Sequence, residues 1–274
     1  MYYIQKTLVM AVMMLVMSLV QTANSKNLIE NTGIELSLSS PKGRMYVSPV
    51  PDSVENTGKA IILCPGGRYA RLAIGGEGFE WMDYFNKLGI TAVVLKYTMP
   101  AGNPSKPVAD AEEAIRILRT KGKQWGVNPE KIGIMGFSAG GHLASFVATN
   151  AAPDVRPNFQ CLIYPVITMD TTFTHLPSRE NLIGANADEA TVVKYSNEKN
   201  VTAETPPAFI AAAANDVRVP AKNAISYFYA LNDKNVAASL HIYPTGGHGW
   251  GFKNTKFKHY PELLRELEAW LNER

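Results

Sequence analysis

The chain has 274 residues, two cysteines and a formal net charge of +3, from 27 basic and 24 acidic side chains. This length suits one large domain, which buries enough surface to fold without disulfides or metal ions. The nearly balanced charge offers no field that would select nucleic acid or an anionic membrane. We therefore expect the partner to be a neutral small molecule or a neutral polymer.

The first 25 residues have the layout of an export signal. Lys6 is their only charged residue, residues 7–20 are almost entirely apolar, and Ala23 and Ser25 are small. This pattern predicts a signal peptide cleaved near Ser25. An uncleaved membrane anchor is the alternative, but about 14 apolar residues fall short of the ~20 that span a bilayer. We expect a secreted or periplasmic protein whose mature chain, residues 26–274, is a single domain outside the membrane.

The mature chain begins with two extended segments and then alternates between apolar runs and helical patterns. The extended segments, near residues 34–38 and 45–47, flank Pro and Gly and predict an antiparallel hairpin. From residue 59 onward, short apolar runs are separated by amphipathic segments, the last of which has Pro261 in its first turn. This alternation predicts the α/β class, with a mostly parallel central sheet flanked by helices on both faces.

One region interrupts the alternation. Residues 168–206 are polar, with little periodicity. An insertion of this size in an α/β domain usually covers a site, so we predict a lid or a substrate-facing loop.

The two cysteines both lie in predicted central strands. Cys64 ends one apolar run and Cys161 lies inside another. If a third strand separates them, they are about 9–10 Å apart, beyond the about 7 Å between Cα atoms that a disulfide allows. We predict two free, buried thiols.

The strongest catalytic motif is Gly136-Phe137-Ser138-Ala139-Gly140, which lies between a buried strand and a predicted helix. Gly-x-Ser-x-Gly at such a turn is the nucleophile elbow of the α/β-hydrolase fold. The glycines are needed because, in so sharp a turn, side chains at their two positions would collide with neighbouring backbone. The serine oxygen then lies at the positive end of a helix. A plain turn is the alternative, and the strand-to-helix position favours the nucleophile.

A serine nucleophile needs a base downstream of it in this fold. His248 lies in the glycine-rich loop 244–251, between the last strand and the last helix, and is the candidate. The other histidines are more simply packed, structural or surface residues: His142, His175, His241 and His259.

The acid of a triad should follow the penultimate strand, and Asp216 is the first carboxylate there. It would fix the tautomer of the histidine. The alternatives are an Asx turn at Asp216 itself and the carboxylates of Asp170 and Asp188 in the insertion.

An oxyanion hole is the remaining requirement. Residues 64–67 follow an apolar strand and read Cys-Pro-Gly-Gly, at the place where the fold carries its oxyanion loop. We expect the N–H of Gly67, with that of Gly66, to act together with the N–H of Ala139. No metal or organic cofactor is implied.

With these residues placed, the chain resembles the exported α/β-hydrolase esterases that remove acetyl groups from plant polysaccharides, the acetylxylan esterase-like group. The similarity rests on these segments: Cys64-Pro65-Gly66-Gly67, Gly76-Glu77-Gly78, Leu95-Lys96-Tyr97, residues 136–144, Thr205-Pro206-Pro207, Asn215-Asp216 and residues 243–249. It implies an acetylated carbohydrate as substrate, with Arg68, Tyr69 and Trp250 as candidate contacts. Two positions depart from the pattern: Arg68 stands where a third glycine is common, and Val217 where a second aspartate is common.

The hypothesis is therefore a serine esterase that releases acetate from polysaccharide. Within hydrolases, the alternatives are a short-chain carboxylesterase, a prolyl-dipeptidyl-type peptidase and a lipase. The peptidases usually carry a large additional domain, and a lipase would need an apolar lid, whereas residues 168–206 are polar. A non-catalytic carbohydrate-binding relative is the alternative from another class. Such relatives tend to lose a triad residue, whereas all three candidates are present here.

Overall fold

The computed structural model describes residues 33–252, residue 255 and residues 257–274. The predicted signal peptide, residues 1–25, lies outside this part of the chain.

In the described part of the chain, eight strands form one sheet in the order β1-β2-β4-β3-β5-β6-β7-β8. The strands are β1 Ile34–Ser37, β2 Arg44–Ser48, β3 Lys59–Cys64, β4 Ile90–Lys96, β5 Ile132–Phe137, β6 Phe159–Ile163, β7 Ala208–Ala213 and β8 Ala238–Tyr243. Strand β2 is antiparallel to β1 and to β4, and all other pairs are parallel. The predicted hairpin and the mostly parallel sheet are confirmed.

Seven α-helices lie within the described residues: α1 Glu80–Lys87, α2 Ser105–Lys121, α3 Ala139–Asn150, α4 Leu176–Ile183, α5 Glu189–Tyr195, α6 Lys222–Asp233 and α7 Tyr260–Asn272. A π-helical turn, Gly75–Phe79, precedes α1, and short 3₁₀ turns occupy Gly122–Trp125, Pro153–Val155 and Asn197–Lys199. The predicted C-terminal helix, with proline in its first turn, is confirmed.

Two of these helices lie in the insertion 168–206, which the sequence shows only as an irregular polar segment. Asp188 caps the N-terminus of helix α5, where its Oδ1 accepts a hydrogen bond of 2.8 Å from the N–H of Thr191. None of its residues is buried. A short helix without a buried stripe gives no hydrophobic periodicity, so only its cap could have revealed it.

The sheet has a different core on each face. On one face, helices α2, α3 and α6 pack mostly aliphatic side chains against the strands. On the other face, α1 and α7 contribute to a cluster rich in aromatic rings, with Trp81 and Phe85 fully buried. Strands β3, β5, β6 and β7 are buried along their whole length. Burial on both faces explains their continuous apolar sequences.

The two cysteines are free and fully buried, as predicted. Strand β5 separates the strands that carry them. Burial raises the pKa of both thiols far above the ordinary range, which keeps them protonated.

Among the described helices, none combines the length and the apolar character needed to cross a bilayer.

The parallel strands β3, β5, β6, β7 and β8 all end at the same edge of the sheet. In such sheets, ligands bind outside the carboxyl ends of the strands. The predicted elbow, acid, base and oxyanion loop directly follow four of these strand ends, and the fold therefore brings them together.

Candidate active site

Ser138 forms the turn between β5 and α3. Its backbone adopts φ 53° and ψ −119°, a conformation that side chains disfavour. The neighbouring glycines make the turn feasible. A Cβ on Gly136 would lie 2.2 Å from the carbonyl oxygen of Gly140, and one on Gly140 would lie 2.0 Å from that of Cys64. The strained serine therefore lies in a turn that requires glycine two positions before it and two positions after it.

Ser138, His248 and Asp216 form a continuous hydrogen-bonded chain. The Oγ of Ser138 is 2.8 Å from Nε2 of His248, and Nδ1 of His248 is 2.6 Å from Oδ2 of Asp216. The Asp216 side chain is completely buried, and that of His248 is 11% exposed. A carboxylate on Nδ1 leaves Nε2 free to accept a proton from the serine hydroxyl.

Asp216 also forms an Asx turn, which the sequence offers as the alternative to a role as the acid of a triad. Its Oδ1 accepts hydrogen bonds from the N–H groups of Arg218 (2.9 Å) and Val219 (3.0 Å). One carboxylate oxygen thus fixes the loop after β7 and the other holds His248. The runners-up are engaged elsewhere: Asp170 accepts from the N–H of Thr172, and Asp188 caps α5.

The loop that carries His248 is held by further contacts. The N–H of Gly247 donates to Oδ1 of Asn215 (2.8 Å), and Nε1 of Trp250 donates to the carbonyl of Gly247 (3.0 Å). The ring of Tyr164, at the end of β6, meets the ring of His248 edge-on at 5.0 Å. These contacts fix the imidazole position before any ligand binds.

The structure places Gly67 and Gly66 in different roles. Gly67 lines the cavity in front of Ser138. Within the described residues, the N–H groups of Gly67 and Ala139 have no hydrogen-bond partner. The N–H of Gly66, by contrast, donates to Oε2 of Glu77 at 2.7 Å. The expectation that Gly66 contributes to an oxyanion hole is therefore wrong, because this carboxylate already occupies its N–H.

Glu77 is a buried carboxylate that sequence reasoning left without a role. Its Oε1 accepts the hydroxyl of Tyr164 at 3.0 Å, and that hydroxyl in turn accepts the N–H of Gly251 at 3.0 Å. Glu77 is 7% exposed, and burial raises its pKa above the ordinary value. It connects the loop after β3, through Gly66, with the loop that carries His248, through Tyr164 and Gly251. A single acidic residue between Gly76 and Gly78 was the only sequence signal.

His142 lies behind the serine and is packed, as predicted. Its Nδ1 is 2.9 Å from the hydroxyl of Tyr69 and its Nε2 is 2.7 Å from the carbonyl of Tyr195. Burial lowers the pKa of His142 to about 4. The neutral ring therefore donates from Nε2 to the carbonyl and accepts the tyrosine hydroxyl at Nδ1.

Two of the predicted substrate contacts face inward instead. Tyr69 is 2% exposed and packs in the core beside Tyr97. Trp250 is 2% exposed and stacks on Phe257 with ring centroids 3.9 Å apart. Neither lines the cavity. Tyr69 also has a backbone φ of 58°, in the left-handed region that residue preferences do not predict.

His175 is the opposite case, because we expected a structural or surface residue and the structure places it at the site. Its ring is 6.4 Å from that of His248, and its Nδ1 is 2.8 Å from Oγ of Ser178. Burial lowers the pKa of His175 to about 4. The insertion 168–206 thus supplies one wall of the cavity.

The cavity in front of Ser138 has a volume of about 580 Å³. Its charged and ionisable lining is formed by Arg68, Arg71, Arg218, Glu77, His175 and His248. Within the part of the chain that the structure describes, no three His, Cys, Asp or Glu side chains lie close enough to hold a metal ion.

Residues 101–274 match the prolyl oligopeptidase family. The chain belongs to this family. The matched range contains Ser138, Asp216 and His248, whereas the oxyanion loop and Glu77 precede it.

Two curated relatives of the chain have names that refer to xylan. The chain is 43% identical to an acetylxylan esterase of Xylanibacter ruminicola over 219 residues, 78% of this chain and 45% of that protein. It is 31% identical to endo-1,4-beta-xylanase B of Butyrivibrio fibrisolvens over 212 residues, 72% of this chain and 33% of that protein. The chain thus spans less than half the length of either relative.

A solved structure agrees with these matches. An acetyl ester-xyloside bifunctional hydrolase from Caldicellulosiruptor lactoaceticus superposes with a TM-score of 0.76 at 33% identity, over 87% of this chain and 90% of that one. The predicted α/β-hydrolase fold and the resemblance to acetylxylan esterases are confirmed.

Proposed function

We propose that this protein is an exported serine esterase that removes O-acetyl groups from xylan-type plant polysaccharides or their oligosaccharides. The observation that carries the proposal is the hydrogen-bonded chain Ser138–His248–Asp216, of which Ser138 and His248 line a cavity. The 43% identity to a protein named acetylxylan esterase supports acetylated xylan as the substrate class.

Acylation begins at the serine. His248 takes the proton from Ser138 as its Oγ attacks the acetyl carbonyl carbon. The carbonyl oxygen becomes negative, and the N–H groups of Gly67 and Ala139 are the donors that stabilise it. The imidazolium then returns the proton to the sugar oxygen, the ester C–O bond breaks, and the sugar leaves as an alcohol.

Deacylation repeats these steps with water. His248 removes a proton from a water molecule that attacks the acetyl-serine carbonyl. The intermediate collapses, Ser138 recovers its proton, and acetate leaves. Asp216 stabilises the imidazolium in both steps and does not itself become protonated. Every bond change uses only the serine, the histidine, the ester and water.

Other hydrolase activities remain candidates because the same triad serves them. The family name favours peptidase activity, and a short-chain carboxylesterase would need no sugar contacts. A non-catalytic carbohydrate-binding protein would not need the strained serine. The polar cavity lining, with three arginines and two histidines, favours a hydrophilic substrate over a long acyl chain.

The test compares substrates on one enzyme preparation. We expect acetate release from acetylated xylooligosaccharides and hydrolysis of p-nitrophenyl acetate, with much slower turnover of p-nitrophenyl octanoate and of a Xaa-Pro anilide. Preference for the octanoate or the anilide would contradict the proposal.

A serine substitution tests the nucleophile. Ser138→Ala should lower kcat by on the order of 10⁶. Ser226→Ala makes the same chemical change on α6 and serves as the matched control. Wild-type acetate release by Ser138→Ala would show that the chemistry takes place elsewhere.

Export is a separate part of the proposal, supported by the apolar stretch 7–20 and the small residues Ala23 and Ser25. Expression of the full chain in a bacterial host should place the mature protein outside the cytoplasm. N-terminal sequencing should then begin near Lys26. A start at Met1 would contradict cleavage.

A further inference from the structure

The rim of the cavity carries three arginines that the proposed chemistry does not use. Arg68 and Arg71 belong to the loop after β3, and Arg218 belongs to the loop after β7. All three line the cavity that contains Ser138, and all three are exposed. The ends of two strands that β5 and β6 separate in the sheet thus present positive charge to the same cavity.

The backbone that carries these arginines is fixed. The N–H groups of Ala70 and Arg71 both donate to the carbonyl of Gly67 at 3.2 Å, which closes a tight turn. Nδ2 of Asn181 holds the carbonyl of Arg68 at 2.9 Å. The N–H of Arg218 donates to Asp216, the carboxylate that also binds His248.

Arg68 occupies an unfavourable backbone conformation. Its φ is 64°, in the left-handed region where a glycine would cost less. The fold therefore bears a local strain that places a guanidinium at the cavity, and a glycine would relieve it. Such strain is a reason to look for a ligand-binding role.

The positive charges at the rim outnumber the negative charge that faces them, because Glu77 is the single carboxylate in the described lining of the cavity. In the described chain, none of the three guanidinium groups forms an ion pair with a carboxylate. The one acid that lines the cavity, Glu77, already accepts hydrogen bonds through both oxygens. The positive field also reaches His175, whose pKa is lowered first by burial and then by the charges of His248 and Arg68.

A neutral acetylated sugar has no negative group that could pair with these guanidinium groups. A guanidinium group presents paired N–H donors that match the two oxygens of a carboxylate. Uronic acid branches place carboxylates on otherwise neutral sugar chains. We infer that the site takes acetylated oligosaccharides that carry a carboxylate, which binds to the arginines while the acetyl group reaches Ser138.

This inference rests on the proposed function for the acetyl group but not for the anion. It also changes the expectation of a neutral partner, since a net charge of +3 conceals a local concentration of positive charge. The rim is exposed, so each arginine should contribute modestly, about threefold in affinity, and together on the order of tenfold.

Binding is measured first, with the Ser138→Ala protein so that no ester is consumed. Isothermal titration calorimetry compares a xylooligosaccharide that carries one uronic acid branch with the same oligosaccharide after reduction of its carboxyl to an alcohol. We expect the acidic ligand to bind about tenfold more tightly at low salt. The difference should shrink when the salt concentration rises to 1 M, where the Debye length falls to about 3 Å. Equal affinities, or no binding of either ligand, would overturn the inference.

Substitutions in the Ser138→Ala background then locate the effect. Arg68→Gln, Arg71→Gln and Arg218→Gln should each reduce the preference for the acidic ligand by about threefold, whereas Arg116→Gln on the exposed surface of α2 should not change it. Arg68→Gly removes the charge and the backbone strain together. It should lose the preference while its unfolding temperature stays equal or rises, so a loss of folding cannot mimic the result.

Turnover separates this inference from the proposed function. Wild-type enzyme is given acetylated forms of the two oligosaccharides. Acetate release at equal kcat/KM, together with equal binding, would overturn the anion preference and leave the esterase proposal intact. Preferential binding of the acidic ligand without acetate release from either would contradict the esterase proposal and leave the anion site intact.

Discussion

The inner wall of the cavity and its rim differ in burial and in the interactions of their polar groups. We use the term inner wall for Ser138, His248 and Glu77, which line the cavity, together with Asp216 and Tyr164 directly behind them. These residues are buried or nearly so and are hydrogen-bonded to one another or to nearby loops. The rim comprises three arginines, which are exposed and form no ion pair within the described chain.

The difference follows from solvation. A buried polar group without a partner is costly, so the inner wall has one arrangement in which its groups satisfy each other. An exposed guanidinium is satisfied by water and can exchange that water for a ligand. We conclude that the inner wall sets the type of reaction, whereas the rim selects among molecules that can undergo it. The predictions below test this division, from the largest expected effect to the smallest.

After the loss of the nucleophile itself, the largest effect is expected when the acid of the inner wall loses its charge. Asp216→Asn keeps the size of the side chain but no longer stabilises the imidazolium or the correct tautomer of His248. We expect kcat on p-nitrophenyl acetate to fall by about 10⁴, with an unchanged circular dichroism spectrum. Asp188→Asn is the matched control, because asparagine caps a helix as well as aspartate does. A loss of less than tenfold in Asp216→Asn would show that the histidine does not depend on this carboxylate.

A smaller loss is expected at Glu77, which we propose as a positioning residue. In Glu77→Gln, the amide can present a donor where Gly66 N–H or the Tyr164 hydroxyl needs an acceptor. The oxyanion loop should then shift. Misplacement by about 1 Å can cost on the order of 10² in rate.

The kinetic pattern distinguishes positioning from general destabilisation. We expect Glu77→Gln to lower kcat while KM for p-nitrophenyl acetate stays within about twofold, at a temperature well below its unfolding transition. Glu130→Gln, in an exposed loop, is the control for the same chemical change. If kcat is unchanged, Gly67 and Gly251 keep their places without this carboxylate.

The chain of Ser138, His248 and Asp216 could be predicted because its signals are local. The elbow is defined by glycines within five residues, and the acid and the base each follow a recognisable strand. The rest of the wall depends on distant contacts. Glu77 and Tyr164 are 87 positions apart, and nothing near either residue indicates the other.

The direction of individual side chains is the second feature that the sequence does not reveal. Arg68 and Tyr69 are consecutive residues with φ of 64° and 58°, an arrangement that no residue preference would suggest. It sends the arginine to the cavity and the tyrosine into the core. Trp250 was misplaced for a similar reason, because its loop folds the indole back onto Phe257. His175 was missed because the insertion contains short helices without an apolar stripe.

His142, which lies behind the inner wall, should make the stability of the folded protein depend on pH. Its pKa is about 4 in the folded protein because of burial, against about 6.5 in an unfolded chain. The unfolded state therefore binds the proton first, and stability is lost as the pH falls from about 6.5 toward 4. Between pH 7 and pH 5 this group should lower the free energy of unfolding by about 2 kcal/mol. Urea unfolding at both pH values measures it.

The matching variant is His142→Gln, which removes the titrating group and keeps a side chain that can donate and accept hydrogen bonds. It should be less stable than wild type at pH 7 but should lose less stability between pH 7 and pH 5. His175 shifts in the same direction, so part of the pH dependence should remain. A variant that loses as much stability as wild type would show that His142 does not titrate between the folded and unfolded states.

The smallest effect is expected at His175, which lies between the two regions. Its ring is 6.4 Å from that of His248 and is held by Ser178. If it belongs to the rim, His175→Gln should raise KM for acetylated xylooligosaccharides about threefold, the value of one lost hydrogen bond, and leave p-nitrophenyl acetate unaffected. Ser178→Ala, which only releases the ring, should have a weaker effect in the same direction. A tenfold fall in kcat on p-nitrophenyl acetate would instead mean that His175 supports His248, and the inner wall would then extend into the insertion.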